Sequence, residues 1–209
     1  HILTAMHQNI LNRNQVDFLP IIQEFSNDYY LVGGTAIALQ LGHRRSIDFD
    51  LFHNSKVRFR QISNTFEKMG YSITDIKCAT EENFTFVLND VNITFFDYPF
   101  DIDHNISFDQ VISMPTLLDL GAMKAFAMGK RLKWKDYVDL YFLLQRYTLN
   151  DISDRSSEIF GEMFSKKLFR EQLKYFDDID YDETVEYCVD PIPKERIQHF
   201  LTGVSTDPF

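Results

Sequence analysis

Two cysteines are all that the 209 residues contain, Cys78 and Cys188, and neither has a second cysteine or a histidine at metal-binding spacing. That scarcity excludes a disulfide framework or a zinc finger as the organising device and makes a reduced, cytoplasmic setting the expectation. Long apolar runs are missing too. No stretch approaches the roughly 20 residues needed to span a bilayer, so no membrane partner is expected. The opening residues, HILTAMHQNI, lack a basic segment ahead of an apolar core and read as no signal peptide. A start on His in place of Met reads as a trimmed end or a tag remnant. Positive charge is in deficit: 21 Lys and Arg stand against 31 Asp and Glu, a formal net charge of −10. Such a chain does not hold nucleic acid by its overall field, because that affinity comes largely from phosphate neutralisation. Any nucleic-acid partner must therefore be met by a local basic patch. Repeats and low-complexity tracts are absent as well.

What is present is an ordinary globular composition, 44% hydrophobic and 25% charged, with 20 Phe and 10 Tyr to fill a core. The length allows one large domain or two small ones. One stretch organises the rest: Tyr30 to Phe52, reading YLVGGTAIALQLGHRRSIDFDLF. A short apolar run ends at Val32, Gly33-Gly34 breaks it, and Thr35 is placed to cap a helix through Leu41. Gly42 to Ser46 is a basic loop carrying His43, Arg44 and Arg45. Strict alternation follows, with Ile47, Phe49 and Leu51 on one strand face and Asp48, Asp50 and Phe52 on the other. Glycines let a phosphate approach the backbone, and the helix start behind them presents free N–H groups and the positive end of a dipole. Paired carboxylates suit Mg²⁺, which takes a few protein oxygens and fills its shell with water and phosphate. Singly, these features describe a turn and an edge strand with a wet acidic face. In this order and this close together, they describe a site for a metal-bound nucleoside triphosphate.

This stretch resembles the first motif of polymerase-β-like nucleotidyltransferases, a Gly-Gly or Gly-Ser followed by Asp-x-Asp. Thirteen residues separate Gly34 from Asp48, and this longer spacer with Gly-His-Arg before the carboxylates resembles the AbiEii-type toxins of abortive-infection and toxin–antitoxin pairs. A later segment, KAFAMGKRLKWKDYVDL from Lys124, resembles that family's Lys, then Arg, then Lys/Arg-Asp-x-x-Asp pattern. The resemblance implies that Asp48 and Asp50 hold Mg²⁺ or Mn²⁺. It further implies that Lys124, Asp136 and Asp139 are catalytic, and that Gly33, Gly34, Thr35, His43, Arg44, Arg131 and Lys135 bind the NTP. Relatives usually carry a third carboxylate where this chain has Thr94. Asp97 is close by but has the opposite strand parity. The expectation is therefore that Asp136 or Asp139 supplies the missing carboxylate, Asp136 being the better placed at the helix start.

The remaining segments read as follows. Residues 1–12 and 14–25 are helical, broken near Asn14 or Pro20, with Val16, Leu19, Ile22 and Phe25 on one face. Ser55 caps a helix whose apolar residues are Phe59, Ile62, Phe66 and Met69, stopped by Gly70. A strand covers Tyr71 to Ile76, and Asn89-Asp90 joins strands Phe84–Leu88 and Val91–Tyr98 in a hairpin. Pro99 to Pro115 is an acidic loop. Thr116 to Asp119 resembles a capping box opening a helix to about Met128. Lys130, Arg131, Lys133 and Lys135 form the basic patch, with Trp134 in the loop, placed to pack between the helices or, as the alternative, to stack on a base. Asp136 and Asp139 share a face of the next helix at i, i+3 spacing. The helices beyond Asn150 bury Ile159, Met163, Leu168 and Leu173, Asp177–Asp182 is a solvated turn, and the last helix is Lys194–Leu201.

The fold expected is α+β: a mixed-sheet nucleotidyltransferase domain over 1–113 and a helical domain over 114–209, with the site in the cleft between them. The activity implied is transfer of a nucleoside monophosphate from an NTP to an acceptor hydroxyl on RNA, such as a tRNA end, or on protein, in a toxin held by a cognate antitoxin. Two alternatives stay open. One is a nucleotide-binding module acting through a partner protein; the other is kinase-like phosphotransfer on the same scaffold.

Overall fold

In the computed structural model, residues 6–128 and 133–206 are described, and the chain divides into two units, His1–Thr116 and Leu117–Phe209. In the first unit a 3₁₀ turn, Gln8–Ile10, leads into α1 (Arg13–Gln23). Asn12 caps α1 in a reciprocal box with Gln15. Pro20 lies inside this helix and does not break it. The buried face is Phe18, Ile21, Ile22 and Phe25, whereas Val16 is 46% exposed, so the apolar stripe is rotated from the one expected.

The strands β1 (Tyr30–Val32), β2 (Phe49–His53), β3 (Asp75–Ala79), β4 (Asn83–Leu88) and β5 (Val91–Asp97) form one sheet in the order β1-β2-β5-β4-β3. Only β2 and β5 run parallel; the other pairs are antiparallel, which makes the sheet mixed. The helix α2 (Gly33–Leu41) follows β1 directly, and α3 (Phe59–Lys68) lies between β2 and β3. Phe49, Leu51, Phe84, Phe86, Ile93 and Phe95 point to one face of the sheet and are fully buried. There Phe25 of the α1 end and Phe66 of α3 pack edge-on to Phe95 and Phe86, at centroid distances of 4.8 and 5.1 Å. Edge-to-face geometry suits the quadrupoles of these rings. The hairpin between β4 and β5 turns through Asn89 and Asp90, both at positive φ (46° and 62°), the geometry that a two-residue connection needs.

Several expectations are corrected. The alternating strand starts at Phe49, and Ile47 is 44% exposed, because it precedes the ladder. The strand after α3 starts at Asp75 rather than Tyr71. Ser55 does not cap α3, whose N-cap is Arg58. Within Pro99–Pro115, read as a loop, β6 (Ile106–Phe108) and β7 (Ile112–Met114) form a hairpin. Their polar turn, Asp109-Gln110, takes positive φ at both positions.

The second unit is helical: α4 (Leu117–Met128), α5 (Trp134–Leu143), α6 (Leu149–Phe160), α7 (Lys166–Leu173) and α8 (Lys194–Thr206). A helix that is apolar on nearly every side must sit inside, and α4, apolar apart from Asp119 and Lys124, is such a helix. Its residues are buried on every side, with Phe126 stacked on Phe160 of α6 at 4.0 Å. Met163 and Leu168 are 65% and 63% exposed, so they do not belong to this core, while Leu173 does. α8 runs past the expected Leu201 to Thr206. No helix among the described residues is long and apolar enough to cross a membrane.

Candidate active site

The first group of site residues is built where β1 passes into α2 without a loop. Gly33 has φ +71°, a conformation that an L side chain resists. A Cβ on it would also lie 3.2 Å from the Asp50 Cγ and closer still to a carboxylate oxygen. Gly34 is constrained from another side: its Cβ would meet the Arg44 guanidinium at 2.5 Å and the Ser46 hydroxyl at 3.1 Å. The glycine pair is thus required by a carboxylate and a guanidinium packed against the backbone. The N-cap of α2 is Val32, whose own side chain makes no capping hydrogen bond. The start of a helix favours negative charge, and the Asp50 carboxylate lies there.

Thr35, expected as the cap, is buried within the helix instead. Its hydroxyl donates to the Asp48 carbonyl oxygen and lies 3.0 Å from the Ser46 hydroxyl. The side chain therefore ties α2 to the residue that precedes β2. His43 and Arg44 are both buried, and Arg44 Nη1 donates to the Arg45 carbonyl at 2.9 Å. Arg44 is the one of the two that packs against Gly34.

The β2–β5 ladder sets Asp50 directly beside Thr94, and the register continues without a bulge to His53 beside Asp97. Asp50 and Thr94 hence share a face, while Asp97 shares the parity of Phe95 and faces the other way. Thr94 has a second neighbour in Thr85 of β4, with hydroxyl oxygens 3.3 Å apart. Both Asp48 and Asp50 are half-buried. Among the described residues no three His, Cys, Asp or Glu side chains gather into a ready metal site. Two carboxylates and a hydroxyl, close to helix N–H groups, fit a hard divalent cation that completes its shell with water and phosphate oxygens.

The Gly33→Ala variant tests this packing. It is expected to lose on the order of 1 kcal/mol to the positive φ alone, and Asp50 must also shift to admit the methyl group. Thermal melting and nucleotide binding should both be impaired; an unaltered melting temperature would show that the turn relaxes freely.

The second group lies in the helical unit. Lys124 of α4 is buried, and its Nζ donates to Asp136 Oδ1 at 2.8 Å and lies 2.9 Å from Asp139 Oδ2. Both aspartates are on α5 and buried, so the i, i+3 spacing brings two carboxylates to one ammonium. Neither carboxylate is the solvated first-turn charge that an ordinary helical hairpin would carry. Asp119, read as a capping residue, accepts from Arg155 Nε at 2.6 Å. Trp134 begins α5 rather than lying in a loop, and it packs on Tyr137 and Tyr181.

Of the basic patch, Lys130 and Arg131 lie outside the described residues. Lys133 and Lys135 both reach Glu183, at 2.7 and 2.8 Å. Hydrogen bonds from these two ammonium groups hold the Glu183 carboxyl down at about 2. Because its folded pKa is lowered, the stability from this clamp is fully present above the unfolded value near 4.5 and is lost as pH falls towards 2. Sequence reasoning missed Glu183. The acidity of residues 177–183 was the available signal, but nothing local connects it to lysines some 50 positions earlier.

The chain matches the family described as "Nucleotidyl transferase AbiEii toxin, Type IV TA system" over residues 21–208. It is 32% identical over 123 residues to an uncharacterized protein, aq_aa25, of Aquifex aeolicus (strain VF5), an alignment covering 58% of this chain and 60% of that protein. In fold it is similar to MenT4, the nucleotidyltransferase toxin Rv2826c of Mycobacterium tuberculosis H37Rv. That comparison has a TM-score of 0.60 and 12% identity, and covers 92% of this chain and 83% of the other. It is also similar to the antibiotic-resistance factor ANT(2'')-Ia, with a TM-score of 0.52, 11% identity, and coverage of 69% and 90%. The family match extends over most of the chain, and this protein belongs to the nucleotidyl transferase AbiEii toxin family.

Proposed function

We propose that the protein transfers a nucleoside monophosphate from an NTP to an acceptor hydroxyl, releasing pyrophosphate, as the toxin of a toxin–antitoxin pair. The observation that carries this reading is the Asp50 carboxylate packed against Gly33 at the start of α2. That arrangement sets anion-binding N–H groups next to a carboxylate. Gly33 and Gly34 receive the β- and γ-phosphates, and Thr35 keeps α2 in register with Asp48. Mg²⁺ or Mn²⁺, held by Asp48 and Asp50, would neutralise the triphosphate and polarise its phosphoryl oxygens. The acceptor oxygen bonds to the α-phosphorus, the bond from that phosphorus to the pyrophosphate oxygen breaks, and the hydroxyl proton is released. His43 and Arg44 act from behind the turn, Arg44 by fixing Gly34 and adding positive charge near the phosphates.

Lys124 is given a part in the reaction because its segment resembles the family's Lys, then Arg, then Lys/Arg-Asp-x-x-Asp pattern, with Asp136 and Asp139 holding its ammonium in place. The expectation that Asp136 supplies a third carboxylate requires it to give up Lys124. Asp136→Asn and Asp139→Asn, measured singly for turnover and for Mg-NTP affinity, decide this. If turnover collapses while affinity stays constant, a catalytic carboxylate is indicated; if both survive, neither aspartate is needed.

A second reading rests on Thr94, which sets a neutral hydroxyl beside Asp50 where a third carboxylate is usual. On that reading the protein binds the nucleotide and acts through a partner, such as its antitoxin. The test is incubation with each labelled NTP, Mg²⁺ or Mn²⁺, and total RNA or lysate. Pyrophosphate release with label on an RNA or protein acceptor supports transfer. Nucleoside diphosphate release indicates a phosphotransferase, and release of neither indicates the binding module.

A further inference from the structure

Glu183 closes a basic pair that the rest of the acidic surface leaves exceptional. Its two carboxylate oxygens are divided between Lys133 and Lys135, at 2.7 and 2.8 Å. The segment that carries it is laid along the start of α5 by further contacts. Trp134 N–H donates to the Asp180 carbonyl at 3.0 Å, Lys133 and Asp180 form a parallel bridge, and Tyr181 packs on Trp134 at 5.4 Å. Lys194 lies 3.7 Å above the Tyr181 ring from the other direction. The segment is itself strongly acidic, with Asp177, Asp178, Asp180 and Asp182 preceding Glu183. A carboxylate clamped by two ammonium groups occupies the kind of place that a phosphodiester oxygen pair takes between two lysines.

We propose that the 177–183 segment is a built-in competitor for the basic side of α5, with Glu183 standing in for a backbone phosphate of single-stranded RNA. The RNA must displace Glu183 before it gains Lys133 and Lys135. Two features make displacement feasible. The lysine side chains keep 42% and 23% of their surface and Glu183 keeps 44%, so the clamp lies at the surface rather than in the core. An exposed ion pair also contributes little to stability, so its exchange for a phosphate costs little. In a chain of net charge −10, such a mask also confines RNA binding to partners able to compete with it. This inference concerns binding alone and stands apart from the transfer chemistry, because its readout needs no turnover.

The experiment is binding of a fluorescent oligouridylate to the full chain across a salt series, for the wild type and Glu183→Gln. The variant keeps the shape and removes the negative charge that both lysines hold. Its affinity at low salt should rise by on the order of tenfold, and its salt slope should steepen by up to about 1.4, from two newly met phosphates on a single strand. Glu162→Gln, an exposed acidic residue elsewhere on the same unit, controls for the change in net charge and should shift affinity far less. Adding Lys133→Gln and Lys135→Gln to Glu183→Gln should return the slope to that of the wild type. A Glu183→Gln protein with unaltered affinity and slope, a gain matched by Glu162→Gln, or no binding by any variant would overturn the proposal. Circular dichroism of each variant separates these results from unfolding.

Discussion

Replacing Lys124 with methionine is expected to destabilise the helical unit by about 3–5 kcal/mol, the range seen when one partner of a buried ion pair is removed. Lys124 is buried to within a few per cent, and so are the two aspartates it joins. Methionine keeps the length of the side chain but takes from Asp136 and Asp139 the ammonium that both buried carboxylates share. Each must then draw in water, take up a proton, or move the helix that carries it. Urea unfolding, followed by the far-ultraviolet helical signal, measures the loss. A Lys124→Met/Asp136→Asn/Asp139→Asn protein should recover most of the stability, since the uncompensated charges are gone, while remaining inactive. If Lys124→Met alone unfolds at the same urea concentration as the wild type, the ion pairs are dispensable to the fold. Lys124 would then matter through chemistry alone.

Asp50→Asn should have the converse signature. The substitution is nearly isosteric, it lies on the face of β2 opposite the aromatic core, and fold stability should change little. It does remove half the carboxylate charge available to a divalent cation and places an amide against Gly33. Turnover should fall roughly 10²–10⁴-fold, about 3–5 kcal/mol of transition-state stabilisation. Nucleotide transfer measured beside the melting temperature gives both numbers. Full activity in Asp50→Asn would remove these carboxylates from the site, whereas a large loss of melting temperature would make the residue structural.

Much of the first unit was legible because its signals are local. The Gly33-Gly34 break, the Asp48-x-Asp50 alternation and the Asn89-Asp90 turn each occupy a few consecutive residues whose backbone geometry follows from their own side chains. The helical spacing of Asp136 and Asp139 was equally readable, as was the parity that separates Thr94 from Asp97. Local pattern failed where a choice depended on what lay opposite. Thr35 has the chemistry of a cap, but its hydroxyl is drawn to the Asp48 carbonyl because α2 and the start of β2 meet there. Arg44 was read as part of a basic loop, and only packing shows that it is buried against Gly34. Val16 and Leu168 satisfy a helical period yet fall on exposed faces, because the neighbouring elements decide which stripe is covered. The Lys124 cluster and the Glu183 clamp join residues 12 to 50 positions apart. Periodicity and capping rules reach one turn or one strand along the chain. Which charge meets which across a larger separation is determined only when the elements pack, since burial makes an unpaired charge costly and so selects its partner.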